Sequence, residues 1–268
     1  VSLLYKYPKK SGYWPVVSKK NCKHLKFIEF GILNLSKGDS FQEETKDKEV
    51  VLVLLSGRCT IKCGDKEFRA LGKRKDVFSG SAYALYLSPQ TVYQVFAQSK
   101  LEIAICQAPS DIISEPLLIT PKQIKVRSAG RENWRREIQD IVLDNVKAKY
   151  LLVGETFNPP GNWSSYPPHK HDEDNFPQEV KLEEIYYYKL SPPQGFGMQR
   201  IYTADKELDE TYLVENNDTV VIPRGYHPVV AAPGYSLYYL WVLAGKRRKM
   251  VSHDDPQHSW VWCQACLT

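Results

Sequence analysis

Glu184-Ile185-Tyr186-Tyr187-Tyr188-Lys189-Leu190-Ser191-Pro192 lies over Glu49-Val50-Val51-Leu52-Val53-Leu54-Leu55-Ser56-Gly57, and this pairing decides the fold. The offset is 135 residues (184 less 49). A second stretch repeats at nearly the same interval. Val221-Ile222-Pro223-Arg224-Gly225-Tyr226-His227-Pro228-Val229 lies over Tyr86-Leu87 through Val95, at an offset near 134. Two matches at almost one interval point to an internal duplication. The run Val50 to Leu55 is continuously apolar rather than alternating, which marks a buried strand.

Working outward from the first copy, Ser56-Gly57 turns the chain into Cys59-Thr60-Ile61-Lys62-Cys63. Gly64-Asp65 turns it again into Glu67-Phe68-Arg69. Ala84-Leu85-Tyr86-Leu87, Thr91 to Phe96 and Leu101 to Cys106 follow as further short strands. Strands at this spacing with turn residues between them predict a sandwich or barrel. One segment differs. Trp134, Ile138, Ile141, Val142 and Val146 recur at helical spacing, so Ser128 to Tyr150 is expected to form an amphipathic helix joining two β-domains. The expected division is residues 1–120 and 121–268.

The chain has 268 residues, with 43% hydrophobic residues, 17 prolines, 15 glycines and 17 tyrosines. That is enough apolar material for a packed core and favours an all-β chain with many turns. A net charge of +5 is too mild to imply nucleic acid and suits a small anionic ligand. The basic runs Lys73-Arg74-Lys75 and Lys246-Arg247-Arg248-Lys249 read as solvated loops. No stretch of 18 apolar residues predicts a membrane span, and the first residues lack the pattern of a secretory signal, so a cytoplasmic protein is expected. The six cysteines are even in number, but a chain of this size is too large to need staples. Cys59 and Cys63 read as buried or half-buried thiols, and Cys263-Gln264-Ala265-Cys266 as incidental.

Chemistry concentrates between Gly161 and His227, which holds three of the six histidines. In a strand, residues two apart share a face, so His169 and His171 project together. A carboxylate on the next strand and His227, after its Pro-x-Gly turn, would complete a three-histidine, one-carboxylate site for a divalent Zn, Mn or Fe ion. The first copy has Tyr93 where the second has His227, and no histidine pair precedes Glu49. The first half is therefore expected to lack the metal.

A His-x-His, a glutamate opening a strand and a histidine after Pro-x-Gly, set in two β-domains, resemble a bicupin, a tandem of jelly-roll barrels. The second half is similar to the 5-deoxy-glucuronate isomerase family of inositol catabolism. The residues that carry this are Pro159-Pro160-Gly161-Asn162-Trp163, Pro168-His169-Lys170-His171-Asp172, Leu182 to Tyr188, Pro192 to Phe196, and Pro223-Arg224-Gly225-Tyr226-His227. The sibling family of pectin-derived hexosulose-uronate isomerases shares the ligand pattern. In cupins generally, the glutamate follows His-x-His after three or four residues. Here twelve residues, Asp172 to Glu183, intervene before Glu184. The repeat favours Glu184 as the carboxylate, with Glu183 and Glu179 as alternatives.

The resemblance implies an aldose–ketose isomerisation of a sugar acid assisted by one divalent metal ion. It implies no nucleic-acid or membrane partner and leaves a homo-oligomer open. On this reading His169, His171, Glu184 and His227 bind the metal. Glu155, Asp172, Tyr202 and Tyr238 are candidate proton carriers. Arg200 is the first candidate for the substrate carboxylate, with Arg224 as the alternative, and Trp163 lines the lumen. A bicupin dioxygenase and a non-catalytic sugar-binding bicupin are the competing readings.

Overall fold

In the computed structural model, which describes residues 2–263, the run Val50 to Leu55 lies within the strand Lys48–Ser56 and is buried throughout. Its pattern is continuous because both faces are covered. Val50, Leu52 and Leu54 point into a core enclosed by the first half. Val51, Val53 and Leu55 point into a second core shared with the other half. The strand Glu183–Ser191 does the same from the other side. Tyr186 and Tyr188 face inward, while Tyr187 reaches the first half, its ring 5.4 Å from Phe30 and its hydroxyl donating to Glu102 at 3.0 Å.

Each half is a cup of two antiparallel sheets. In the first, one sheet runs Leu117–Ile119, Ala84–Leu87, Lys48–Ser56, Leu101–Pro109, Glu29–Leu35, Gly12–Val17. Its facing sheet runs Ser40–Glu44, Val92–Ala97, Cys59–Cys63, Lys66–Leu71. The second half repeats the order. Thr219–Ile222, Glu183–Ser191, Ser236–Ala244, Leu151–Asn158 and Arg136–Val142 form the large sheet, with Leu4–Tyr5 and Lys125–Ala129 at its edges. Trp163–Ser164, Val229–Ala231, Phe196–Tyr202 and Asp209–Glu215 face it. Leu4–Tyr5 thus adds to the sheet of the second half, pairing Leu4 with Val220 and Tyr5 with Thr219.

The expected helix over Ser128 to Tyr150 does not form. Arg136–Val142 is a strand, paired on one side with Lys125–Ala129 and on the other with Leu151–Asn158. Glu132–Trp134 is a single 3-10 turn. The misleading period has a cause. The ladder shifts register between Asp140 and Val142, which breaks alternation and places apolar residues at 138, 141 and 142, a helix-like spacing. Two partner strands then satisfy the backbone groups that a helix would have paired internally.

The basic run Lys73-Arg74-Lys75 also departs from expectation. Arg74 is buried, and its guanidinium grips Glu155 of the second half with Nη2–Oε1 2.6 Å and Nη1–Oε2 3.1 Å. It further donates to the carbonyls of Leu54 and Gly80, and the Tyr238 hydroxyl donates to Glu155 at 2.8 Å. This buried pair joins the two cups. Cys59 and Cys63 are buried as expected, and burial pushes their thiols up to about 12 and about 11. Cys266, and with it the Cys-x-x-Cys reading, lies outside the described residues.

Candidate metal centre

His169–Lys170 is a two-residue strand paired with His253–Asp254. Strand alternation sends His169 and His171 one way and Lys170 and Asp172 the other. The Lys170 ammonium is held by Asp172 at 2.7 Å, Glu173 at 3.0 Å and Glu179 at 2.9 Å. Glu179 also accepts the amides of Asp172 and Glu173. The acidic insertion therefore folds back on Lys170, and this occupies Glu179.

Register decides between the remaining two glutamates. Glu184 pairs with Ile222, the last residue of its strand, as Val50 pairs with Leu87, the last of its own. The counterpart of Glu184 is thus Val50, and that of Glu49 is Glu183, one residue off the sequence overlay. The hydrogen bonds agree. The Glu49 carboxylate accepts the amides of Lys149, Tyr150 and Leu151, and Glu183 accepts those of Lys26, Phe27 and Ile28. The Phe27 and Tyr150 rings meet at 4.6 Å between these matched contacts. Glu183 ties one half to the other, while Glu184 points into its own cup. The Tyr93 overlay holds. Ala97 pairs with Cys59 and Ala231 with Gly197, and four residues back from each alanine stand Tyr93 and His227.

His171, Glu184 and His227 are buried, and one ligand atom from each lies within 4.8 Å of the others. Glu184 Oε2 is 3.1 Å from His171 Nε2 and 3.2 Å from His227 Nε2. The other ring nitrogens face backbone carbonyls, His171 Nδ1 to Leu182 and His227 Nδ1 to Gly225, both at 2.9 Å. A carbonyl only accepts, so each Nδ1 carries a proton, and each ring, when neutral, would present its Nε2 lone pair inward to a bound cation. His227 Nε2 is buried without a hydrogen-bond partner. Two nitrogen lone pairs and a carboxylate turned on one point suit a cation, and the group can hold a metal ion. Burial pushes Glu184 upward, but its contacts with His171 and His227 outweigh this and bring it down to about 2. Burial lowers His171, yet the bonded Glu184 carboxylate makes the net shift upward. His169 stands beside the three, its ring centre 4.9 Å from that of His227 and 6.3 Å from that of His171. Burial and those two rings hold it well below the ordinary imidazole value.

A cavity of about 220 Å³ opens onto His169, His171 and Glu184. Tyr186 and Tyr239 stack along its wall at 4.2 Å, their hydroxyls bonded to Ser165 and Ser164. Arg127 on Lys125–Ala129 and Arg136 on Arg136–Val142 complete it. Neither arginine was singled out in the sequence: Arg136 fell within the helix expected over Ser128 to Tyr150, a reading that hides which residues share a face with the cup, and Arg127 lies just before it.

The structure does not bring the other candidates to this cavity. Glu155 and Tyr238 belong to the contact with Arg74 between the halves. Asp172 holds Lys170 and accepts the Gly225 amide at 2.7 Å. The Tyr202 hydroxyl donates to Asp255 at 2.6 Å. Arg200 sits on the outer face of its strand, since Gln199 faces inward to Tyr188, and it pairs with Asp209 at 2.7 Å. Arg224 is exposed and reaches Glu207 at 3.4 Å. Trp163, Arg200 and Tyr202 line a separate cavity of about 580 Å³.

Two tandem antiparallel cups, one enclosing a buried histidine–carboxylate group, define a bicupin with a candidate metal centre. The fold matches that of the Lactobacillus farciminis oxalate decarboxylase formate complex, with a TM-score of 0.66 at 13% identity, covering 95% of this chain and 88% of that one. The chain belongs to the KduI/IolB family, whose profile matches residues 3–261. It is 45% identical to a 5-deoxy-glucuronate isomerase of Geobacillus kaustophilus (strain HTA426), over 88% of this chain and 86% of the relative. An IolB-like protein from Salmonella typhimurium LT2, solved by crystallography, superposes with a TM-score of 0.94 at 37% identity, covering 97% of this chain and 99% of the other.

Proposed function

We propose that this chain is an aldose–ketose isomerase that converts 5-deoxy-D-glucuronate to 5-dehydro-2-deoxy-D-gluconate in inositol catabolism, through an enediolate. The observation that carries this is the convergence of His171, Glu184 and His227 in a chain 45% identical to a protein of that name. The reaction moves one hydrogen from the hydroxyl-bearing carbon to the aldehyde carbon, and one proton between their oxygens. It needs no redox partner.

His171, Glu184 and His227, with His169 beside them, would hold one divalent ion of the Zn, Mn or Fe class. When bound, such an ion supplies Lewis acidity at the carbonyl and neighbouring hydroxyl, worth several kcal/mol. The protein contributes preorganisation. The Leu182 and Gly225 carbonyls fix both ring tautomers, so the donors are set before substrate arrives. The Tyr186 and Tyr239 hydroxyls, already bonded to serines, give the wall a defined polar lining. Among the described residues no helix is long and apolar enough to cross a membrane.

The test is incubation of metal-replete protein with 5-deoxy-D-glucuronate, followed by NMR, with elemental analysis of the same preparation. The expected result is loss of the aldehyde signal and growth of the ketose. No conversion by protein carrying a full complement of metal would overturn the proposal, and oxygen uptake during turnover would favour the dioxygenase reading.

A further inference from the structure

Arg136 is a buried cation without an anion. It is only 9% exposed, and it lines the same cavity as His169, His171 and Glu184. Its Nη1 donates to the carbonyls of Trp134 at 3.1 Å and Tyr166 at 3.0 Å. Its Nε is buried with no hydrogen-bond partner. Among the described residues no carboxylate lies within ion-pair distance of it. The other arginines near these sites differ. Arg74 has Glu155, Arg127 has Asp140 at 3.1 Å, and Arg200 has Asp209. Asp254 lines the cavity too, but its Oδ2 takes the Trp262 indole N–H at 2.7 Å.

A buried guanidinium is costly unless paired, and an arginine cannot shed its proton to escape the cost. Burial accordingly presses Arg136 below its ordinary value; the Tyr239 and Tyr186 hydroxyls oppose this, nearby Arg127 adds to it, and Asp254 opposes it more weakly, so the net shift is downward. The two carbonyls hold the group in place without neutralising it. Nε itself is sealed from solvent, whereas Nη2 is not and has no hydrogen bond among the described residues, so an anion bound in the cavity would meet the guanidinium through Nη2 and complete the pair.

We propose that Arg136 receives the carboxylate of the substrate, at the end of the molecule opposite the carbonyl that isomerises. This rests on the isomerase reading above. Histidine–carboxylate ligands at one end and a guanidinium at the other bind a six-carbon sugar acid in one orientation. The site then selects uronic acids over neutral aldoses. A guanidinium fork suits a carboxylate better than an ammonium does, so lysine should replace it only in part.

The experiment compares 5-deoxy-D-glucuronate with its carboxamide, on wild type, Arg136→Met and Arg136→Lys. A charge-assisted contact of this kind corresponds to about a hundredfold in kcat/KM. Wild type should prefer the acid by about that factor. Arg136→Met should lose the preference while keeping its metal content, its loss on the acid exceeding its loss on the amide by about that factor. Arg136→Lys should retain part of the preference. Equal losses on acid and amide would mean a merely structural role, and an unchanged preference in Arg136→Met would place the carboxylate elsewhere; either overturns the proposal. Binding of D-glucuronate and D-glucuronamide by calorimetry separates this from the isomerase reading. If wild type fails to isomerise but binds the acid more tightly through Arg136, the anchor stands and the reaction assignment falls. Should wild type bind both alike, no anchor exists, and for a variant that fails to fold this wild-type comparison decides alone.

Discussion

Replacing Arg74 with methionine should destabilise the protein without touching its chemistry. Both partners of the Arg74–Glu155 pair are sealed from solvent, at 2% and 0% side-chain exposure, and two contacts of 2.6 and 3.1 Å join them. Removing the guanidinium leaves a buried carboxylate with only the Tyr238 hydroxyl as donor, and strips the Leu54 and Gly80 carbonyls of theirs. Breaking such a pair from one side costs about 3–5 kcal/mol. For a chain of this size each kcal/mol moves the melting temperature by about 2–4 °C, so a fall of roughly 6–20 °C is expected. The assay is thermal unfolding by circular dichroism at a fixed scan rate, with kcat measured well below the transition. The double variant Arg74→Met/Glu155→Leu removes both charges and should recover most of the loss, because an apolar pair of similar volume is often as stable as a buried ion pair. Two results would refute the reasoning. One is an Arg74→Met protein melting within a degree or two of wild type. The other is a Glu155→Gln protein with unchanged melting and abolished kcat, which would make Glu155 a participant in the reaction.

Three further outcomes follow from the site. His171→Ala should purify with little metal and lose at least about a hundredfold in kcat/KM, read by elemental analysis and turnover; full-rate turnover by metal-free protein would exclude the metal. Glu183→Gln should keep its metal and lose about 1.5–3 kcal/mol from weakened bonds to the amides of Lys26, Phe27 and Ile28, while Glu184→Gln should lose the metal; the reverse pattern would exchange the two roles. Tyr93→Phe removes a 3.3 Å bond to Glu43 in the first cup, should cost about 0.5–1.5 kcal/mol in denaturant unfolding and should leave turnover intact.

The duplication, the all-β architecture and the histidine cluster were legible because each rests on short-range pattern. A six-residue apolar run bounded by turns has few readings, and His169 with His171 needs only strand alternation to share a face. Glu184 was chosen from an overlay that proved one residue off. It faces the cup because its strand pairs with Ile222 there, and that register is set by partners far away in the chain. The segment from Ser128 to Tyr150 misled for a related reason. A bulge imitated a helical period, and hid Arg136 from the candidates.

The sequence by itself determined that two β-cups repeat and that the second carries three imidazoles and a choice of carboxylates. Local periodicity and turn residues suffice for that, since they act within a few residues. Only the tertiary structure decided which carboxylate meets the histidines, which arginine enters the cavity and which is spent joining the halves. Those outcomes depend on register and on what each side chain meets when sheets close over it, between residues as far apart as Arg74 and Glu155, and no one-dimensional pattern records such a meeting.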